Sequence, residues 1–157
     1  MGAGGSRFHV LMARVLYILR VTSLVLLALG GRALAAPDGP VVLRDGVPVE
    51  VQMPDGRKSW TGRIDVPADA TWLHVIASGS RDVDLYLRHR RPVNGDPVKT
   101  ADVVAAGDSP HEIIALNGST DVRVRPGSWY VTVVNPAPKE GGGERQVAAF
   151  VDRKDGR

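Results

Sequence analysis

"TWLHVIASGSRDVDLYLR", Thr71 to Arg88, holds two alternating runs separated by a small polar turn around Gly79-Ser80. A two-residue period rich in β-branched and aromatic side chains is the pattern of strands, because successive side chains point to opposite faces. The first run is apolar at both parities, with Trp72, His74 and Ile76 at one and Leu73, Val75 and Ala77 at the other. It therefore predicts a central strand covered on both sides. The second run keeps Val83, Leu85 and Leu87 on one face and sets Asp82, Asp84 and Tyr86 on the other. Two carboxylates one residue apart on a strand need a reason.

Outward from this stretch, turn residues recur at short intervals and no helical period lasts longer than a turn or two. "VVL" leads into Asp45-Gly46, a turn signal, and "VPVEVQM" then places Val47, Val49, Val51 and Met53 on one face. "KSWTGRIDV" does the same with Trp60, Gly62, Ile64 and Val66, and "HEIIAL", "SWYVTVVN" and "RQVAAFVD" follow the same rule. "ADVVAA" reads as a short strand, and "PAPKEGGGE" reads as a flexible loop. The connection from His89 through Asn94-Gly95, Pro97 and Lys99 carries turn chemistry and no assignable element. About eight short strands predict an all-β fold, an antiparallel β-sandwich or jelly roll, with no internal repeat and no second domain.

Residues 1–35 read as a signal peptide. Arg7, Arg14 and Arg20 make a basic start, "VTSLVLLALGG" is an apolar stretch too short to span a bilayer securely, and Ala33 and Ala35 fit a signal-peptidase site. The mature domain is then residues 36–157, secreted or periplasmic, with no stable membrane span after cleavage. The alternative is an anchor retained by adding "VLMARVLYIL" to the apolar stretch, although Arg14 and Arg20 interrupt it. The leader also decides the charge. It holds four arginines and no acid, so removing four positive charges from the chain's net +3 leaves −1. A nucleic-acid partner loses its electrostatic support. With no cysteine, an exported domain of this length must hold together through its apolar core alone.

The mature chain resembles the bacterial pre-peptidase C-terminal domain family. The residues that carry the resemblance are "DGVPVEV", "VPADATWLHVIASG", "DVDLYL", "HEIIAL" and "PGSWYVTVVN", in the family's order and spacing, over roughly Leu43 to Val151. The resemblance implies a secreted β-sandwich and binding of a polymer or of calcium. The family normally follows a peptidase, and this chain shows only a leader before the domain, so proteolysis does not come with the resemblance.

Asp82 and Asp84, about 7 Å apart on one strand face, admit two roles. They can converge on a cation such as calcium, which takes six to eight oxygens, with Glu112 as the third ligand because it shares the parity of Ile114 and Leu116 at the core edge. Or they accept hydrogen bonds from adjoining loops and pair with Arg81, Arg123 or Arg125, which needs no metal. Trp129 and Tyr130 are the candidate ligand-stacking aromatics, set against core packing for one of the pair, since neighbours on a strand face opposite ways; Trp60 and Trp72 invite the same question. Arg88, His89, Arg90 and Arg91 form a basic cluster read as a solvated loop. No H-E-x-x-H or G-x-S-x-G is present, and Asp108, Ser109 and His111 are sequence neighbours, which seldom form a triad.

These readings exclude an enzyme. They predict an exported, non-catalytic module with a binding or accessory role at the cell envelope or outside it, and a protein or polysaccharide partner. No cofactor is expected unless calcium binds. The alternatives are a calcium-dependent structural or adhesive module, and a partner or regulator of a separately encoded secreted protease.

Overall fold

The computed structural model describes residues 39–53, 56, 58–140 and 143–155. The leader and its cleavage site lie outside the described residues. The strands are β1 (Val41–Val42), β2 (Val49–Gln52), β3 (Ser59–Val66), β4 (Ala70–Gly79), β5 (Asp84–His89), β6 (Val103–Ala105), β7 (His111–Leu116), β8 (Gly127–Val134) and β9 (Glu144–Arg153). A one-turn helix, α1 (Pro97–Thr100), and a 3₁₀ turn (Pro138–Glu140) complete the set.

Two sheets form, in the orders β1-β3-β8-β5-β6 and β2-β9-β4-β7. Without β1 these are the two interlocked four-stranded sheets of a jelly roll, and every pairing but β1–β3 is antiparallel. The predicted fold class is the observed one. Between the layers lie Trp60, Ile64, Val66, Leu85, Leu87, Trp129, Val131 and Val133 from the first sheet. Val51, Leu73, Val75, Ala77, Ile114, Leu116, Val147, Ala149 and Val151 face them from the second. Each of the larger aliphatic side chains among them contributes roughly 1.5–3 kcal/mol on leaving water, enough in number to explain cohesion without a disulfide.

Local chemistry fixes the path. Gly62 gives room to the Trp60 indole two residues earlier on its strand, since a Cβ at Gly62 would lie 2.5 Å from that ring. The Asp45-Gly46 turn forms as read, with Gly46 at φ +68° and Val47 N–H donating to the Arg44 carbonyl. It does not close a hairpin, however. Gly46 donates to the Ala149 carbonyl and the Asp45 carboxylate accepts Val151 N–H, so the turn is held on β9 and passes the chain from β1 in one sheet to β2 in the other. The unassigned 90–102 connection contains α1, started by Pro97 and capped by Asp96, whose carboxylate accepts Val98 N–H.

Expected burial fails in one place. β4 is internal to its sheet, but only Leu73, Val75 and Ala77 are buried; Trp72 is exposed and His74 and Ile76 are half-buried. Its second apolar face has no second layer among the described residues.

Candidate functional site

The two regions with chemical potential are the acidic loops at one end of the sandwich and the uncovered face of the four-stranded sheet.

In the acidic region, Asp82 precedes β5 and its carboxylate accepts Ser109 N–H at 3.0 Å, while Val83 N–H donates to the Ser109 carbonyl at 3.0 Å. Glu112, at the inward parity of β7, accepts Gly107 N–H at 3.1 Å. Asp82 and Glu112 thus tie down the loop between β6 and β7 from its two sides. Asp84 accepts the Tyr86 hydroxyl at 3.3 Å on the outward face of β5. Burial pushes the Asp84 carboxyl above its ordinary value; the Tyr86 hydroxyl partly opposes this, and the charges of Asp82, Glu112 and Asp108 add to it. The same surroundings push Tyr86 up to about 12, by burial first and then by the Asp84 charge. Behind them the buried Arg145 guanidinium donates to the Asp82 carbonyl at 3.2 Å, and burial lowers its pKa.

The charges of Asp82 and Glu112 thus disfavour ionised Asp84, and each of the three carboxylates already has a protein donor on it. Among the described residues, no three His, Cys, Asp or Glu side chains are grouped to hold a metal ion. The nearby Ser109 hydroxyl donates to the His111 carbonyl and accepts His111 N–H, so it engages the histidine's backbone and not its ring. Asp82 meets Ser109 through the backbone amide.

Trp129 and Tyr130 part as alternation requires. Trp129 is fully buried, donates Nε1–H to the Arg125 carbonyl at 2.8 Å and lies against the His89 ring at 5.0 Å, so it offers no face to a ligand. Tyr130 points outward, half-buried, with Arg63 and Arg88 opposite it on the two flanking strands. In the basic cluster, His89 is drawn inward by Trp129 and by the Pro126 carbonyl, leaving Arg90 and Arg91 exposed.

The uncovered face is the feature that sequence reading misplaced. Its outward positions in register are Trp72 with Asp152, then Ala115, His74 and Phe150, then Ile113, Ile76 and Ala148, then His111, Ser78, Gln146 and Glu50. Trp72 is 37% exposed, Phe150 36% and Ile113 60%. The Trp72 and His74 rings stack at 5.2 Å with 21° between their planes. Past Ile76 the surface becomes polar and dips into an open depression of about 300 Å³, lined by Glu50, Gln52, Ser78, His111, Glu144 and Gln146 among others. From Trp72 to Ser78 the strip runs about 20 Å at the usual strand rise of ~3.4 Å per residue.

With this geometry established, comparison with known proteins is informative about architecture. No family model matches the chain, and no curated protein matches it in sequence. Among solved structures, it is similar to the pre-peptidase C-terminal domain of the collagenase from Bacillus anthracis. The TM-score is 0.54 at 11% identity, over 73% of this chain and 97% of that one. The likeness is one of fold. Weaker similarities are to the Aeromonas hydrophila periplasmic inhibitor of g-type lysozyme (TM-score 0.46, 13% identity, 72% and 96% covered) and to a Clostridium stercorarium module in complex with cellobiose (0.31, 11%, 74% and 98%). The β-sandwich expected from "DVDLYL" and "GSWYVTVVN" thus has a counterpart in a pre-peptidase C-terminal domain. Among the described residues, no helix is long and apolar enough to cross a membrane.

Proposed function

We propose that this chain is an exported, non-catalytic binding or accessory module acting at the cell envelope or beyond it. One observation carries the reading: the four-stranded sheet leaves Trp72, Ile113 and Phe150 bare on one face. An apolar patch of a few hundred Å² is the size at which the largest patch of a monomer is often functional. The polar groups elsewhere support it. Asp82 and Glu112 serve the loop between β6 and β7, Asp84 accepts the Tyr86 hydroxyl of its own strand, and the three histidines of the domain stand apart, on the β4 outer face, at the end of β5 and at the start of β7.

The test has two readouts. After expression of the full chain, fractionation and N-terminal sequencing should find a product beginning at Ala36 in the periplasm or medium. That product should turn over none of a panel of chromogenic peptide, ester and glycoside substrates. A cytoplasmic full-length product, or turnover abolished by a single substitution, would overturn the proposal.

A further inference from the structure

The geometry points to the outer face of the β2-β9-β4-β7 sheet as a binding site for a linear glycan of neutral or amino sugars. This rests on the reading of the chain as a binding module and names its ligand class.

Size argues against a protein partner. Trp72 and Phe150, a little over a third exposed, each leave roughly 60–90 Å² of a ~150–250 Å² side chain uncovered. With Ile113 and the half-buried Ile76 and His74, the apolar strip comes to on the order of 300–400 Å². A stable protein interface buries ~800 Å² per partner, of which roughly 450 Å² is apolar, and the strip falls short of that. A narrow ligand lying along the strip matches it better.

Chemistry then selects the ligand. A sugar ring has an apolar C–H face, which packs on aromatic rings, and a rim of hydroxyls, which exchange hydrogen bonds with carboxylates, amides and hydroxyls. Both halves are present and continuous. The stacked Trp72–His74 pair and Phe150 form the apolar part, and Asp152 lies beside Trp72. Farther along the same sheet face, the depression offers Glu50, Glu144, Gln146, Gln52, Ser78 and His111 from its four strands, all hydroxyl partners. Its volume, about 300 Å³, is at the small end of ligand pockets.

Charge restricts the class further. The outward positions of the four strands carry Glu50, Glu144 and Asp152 and neither lysine nor arginine. Arg145 comes from the inward parity and is 3% exposed; it is the one arginine among the described residues lining the depression, against Glu50 and Glu144. Polyuronates, sulfated chains and phosphate-rich surfaces are repelled by such a face, whereas neutral or amine-bearing sugars are not.

Isothermal titration of the full chain with cello-, xylo- and chito-oligosaccharides, a glucosamine oligomer and a polyuronate as acidic control tests this. Expected is binding to at least one neutral or amino-sugar oligomer, weakened about tenfold or more in Trp72→Ala, the loss of one good stacking partner. The melting temperature should fall modestly, because most of the side chain is covered and its ring stacks on His74, so the titration is run well below it and Gln146→Ala serves as the second variant. Gln146→Ala, in the depression, should weaken the same ligand. The inference is overturned by binding of none of these oligomers, by preference for the polyuronate, by affinity indifferent to Trp72→Ala, or by a sugar-free dimer that dissociates in that variant. Failure here leaves export and the missing turnover untouched, and a catalytic or cytoplasmic result would leave the sugar titration standing.

Discussion

Asp84 shows how a carboxylate comes to sit on a strand beside a tyrosine. Its oxygen receives the Tyr86 hydroxyl, but burial and the charges of Asp82, Glu112 and Asp108 leave the ionised form disfavoured. A folded-state pKa raised above the unfolded value means that the ionised group weakens the fold once pH rises through that raised value. Below the ordinary carboxylate range, where both states are protonated, the penalty disappears. Asp84→Asn keeps an oxygen for Tyr86 and removes the charge. It should raise the melting temperature at pH 7 slightly, with the difference closing as pH falls toward 3. A variant less stable than the native chain at pH 7 would contradict this. The parity of Asp82, Asp84 and Tyr86, and of Glu112 with Ile114 and Leu116, can be read from alternation alone. Which tryptophan is exposed cannot, because Trp72 and Trp129 both stand in alternating runs. The difference depends on which sheet face receives the other layer.

Strand by strand, the predicted runs and the observed elements agree closely, since each carries its own two-residue period and its own turn residues. Connections are where sequence falls short. Asp45-Gly46 specifies a turn but not that its two arms enter different sheets, a choice made by contacts with Ala149 and Val151 about a hundred residues later. Helix α1 is too short for any period, although Asp96-Pro97 is an acceptable cap and first turn. The β6–β7 loop is a further long-range case, braced by Asp82 and Glu112. Asp82→Ala should cost up to about 1 kcal/mol by removing the charged one of the Ser109 amide's two acceptors, the Gly107 carbonyl at 2.8 Å remaining, and should speed hydrogen exchange at that amide. We expect the loss to be equal in millimolar calcium and in chelator. A melting temperature of the native chain that rises with calcium, and does not in Asp82→Ala, would instead favour the cation role of Asp82, Asp84 and Glu112.

Taken together, the molecule separates two uses of polar and apolar surface. One end employs its acids to hold its own loops, while one broad sheet face carries aromatic and aliphatic groups into water beside a polar hollow. Sequence reading reaches the sandwich because alternation and turns are local. It overestimates the burial of β4, since apolar residues at both parities describe equally well a strand between two layers and a strand with one face left to solvent. On the glycan-binding proposal, this outer face, and not the acidic end, is where the protein meets its partner. The most direct measurement is a ¹⁵N–¹H correlation spectrum of the labelled protein titrated with neutral and amino-sugar oligomers. Shifts should be concentrated at the Trp72 side-chain N–H and at outward residues of β4, β7 and β9, including His74, Ile113 and Phe150. Shifts centred on Asp82, Ser109 and Glu112, or a spectrum unchanged by every oligomer, would contradict it.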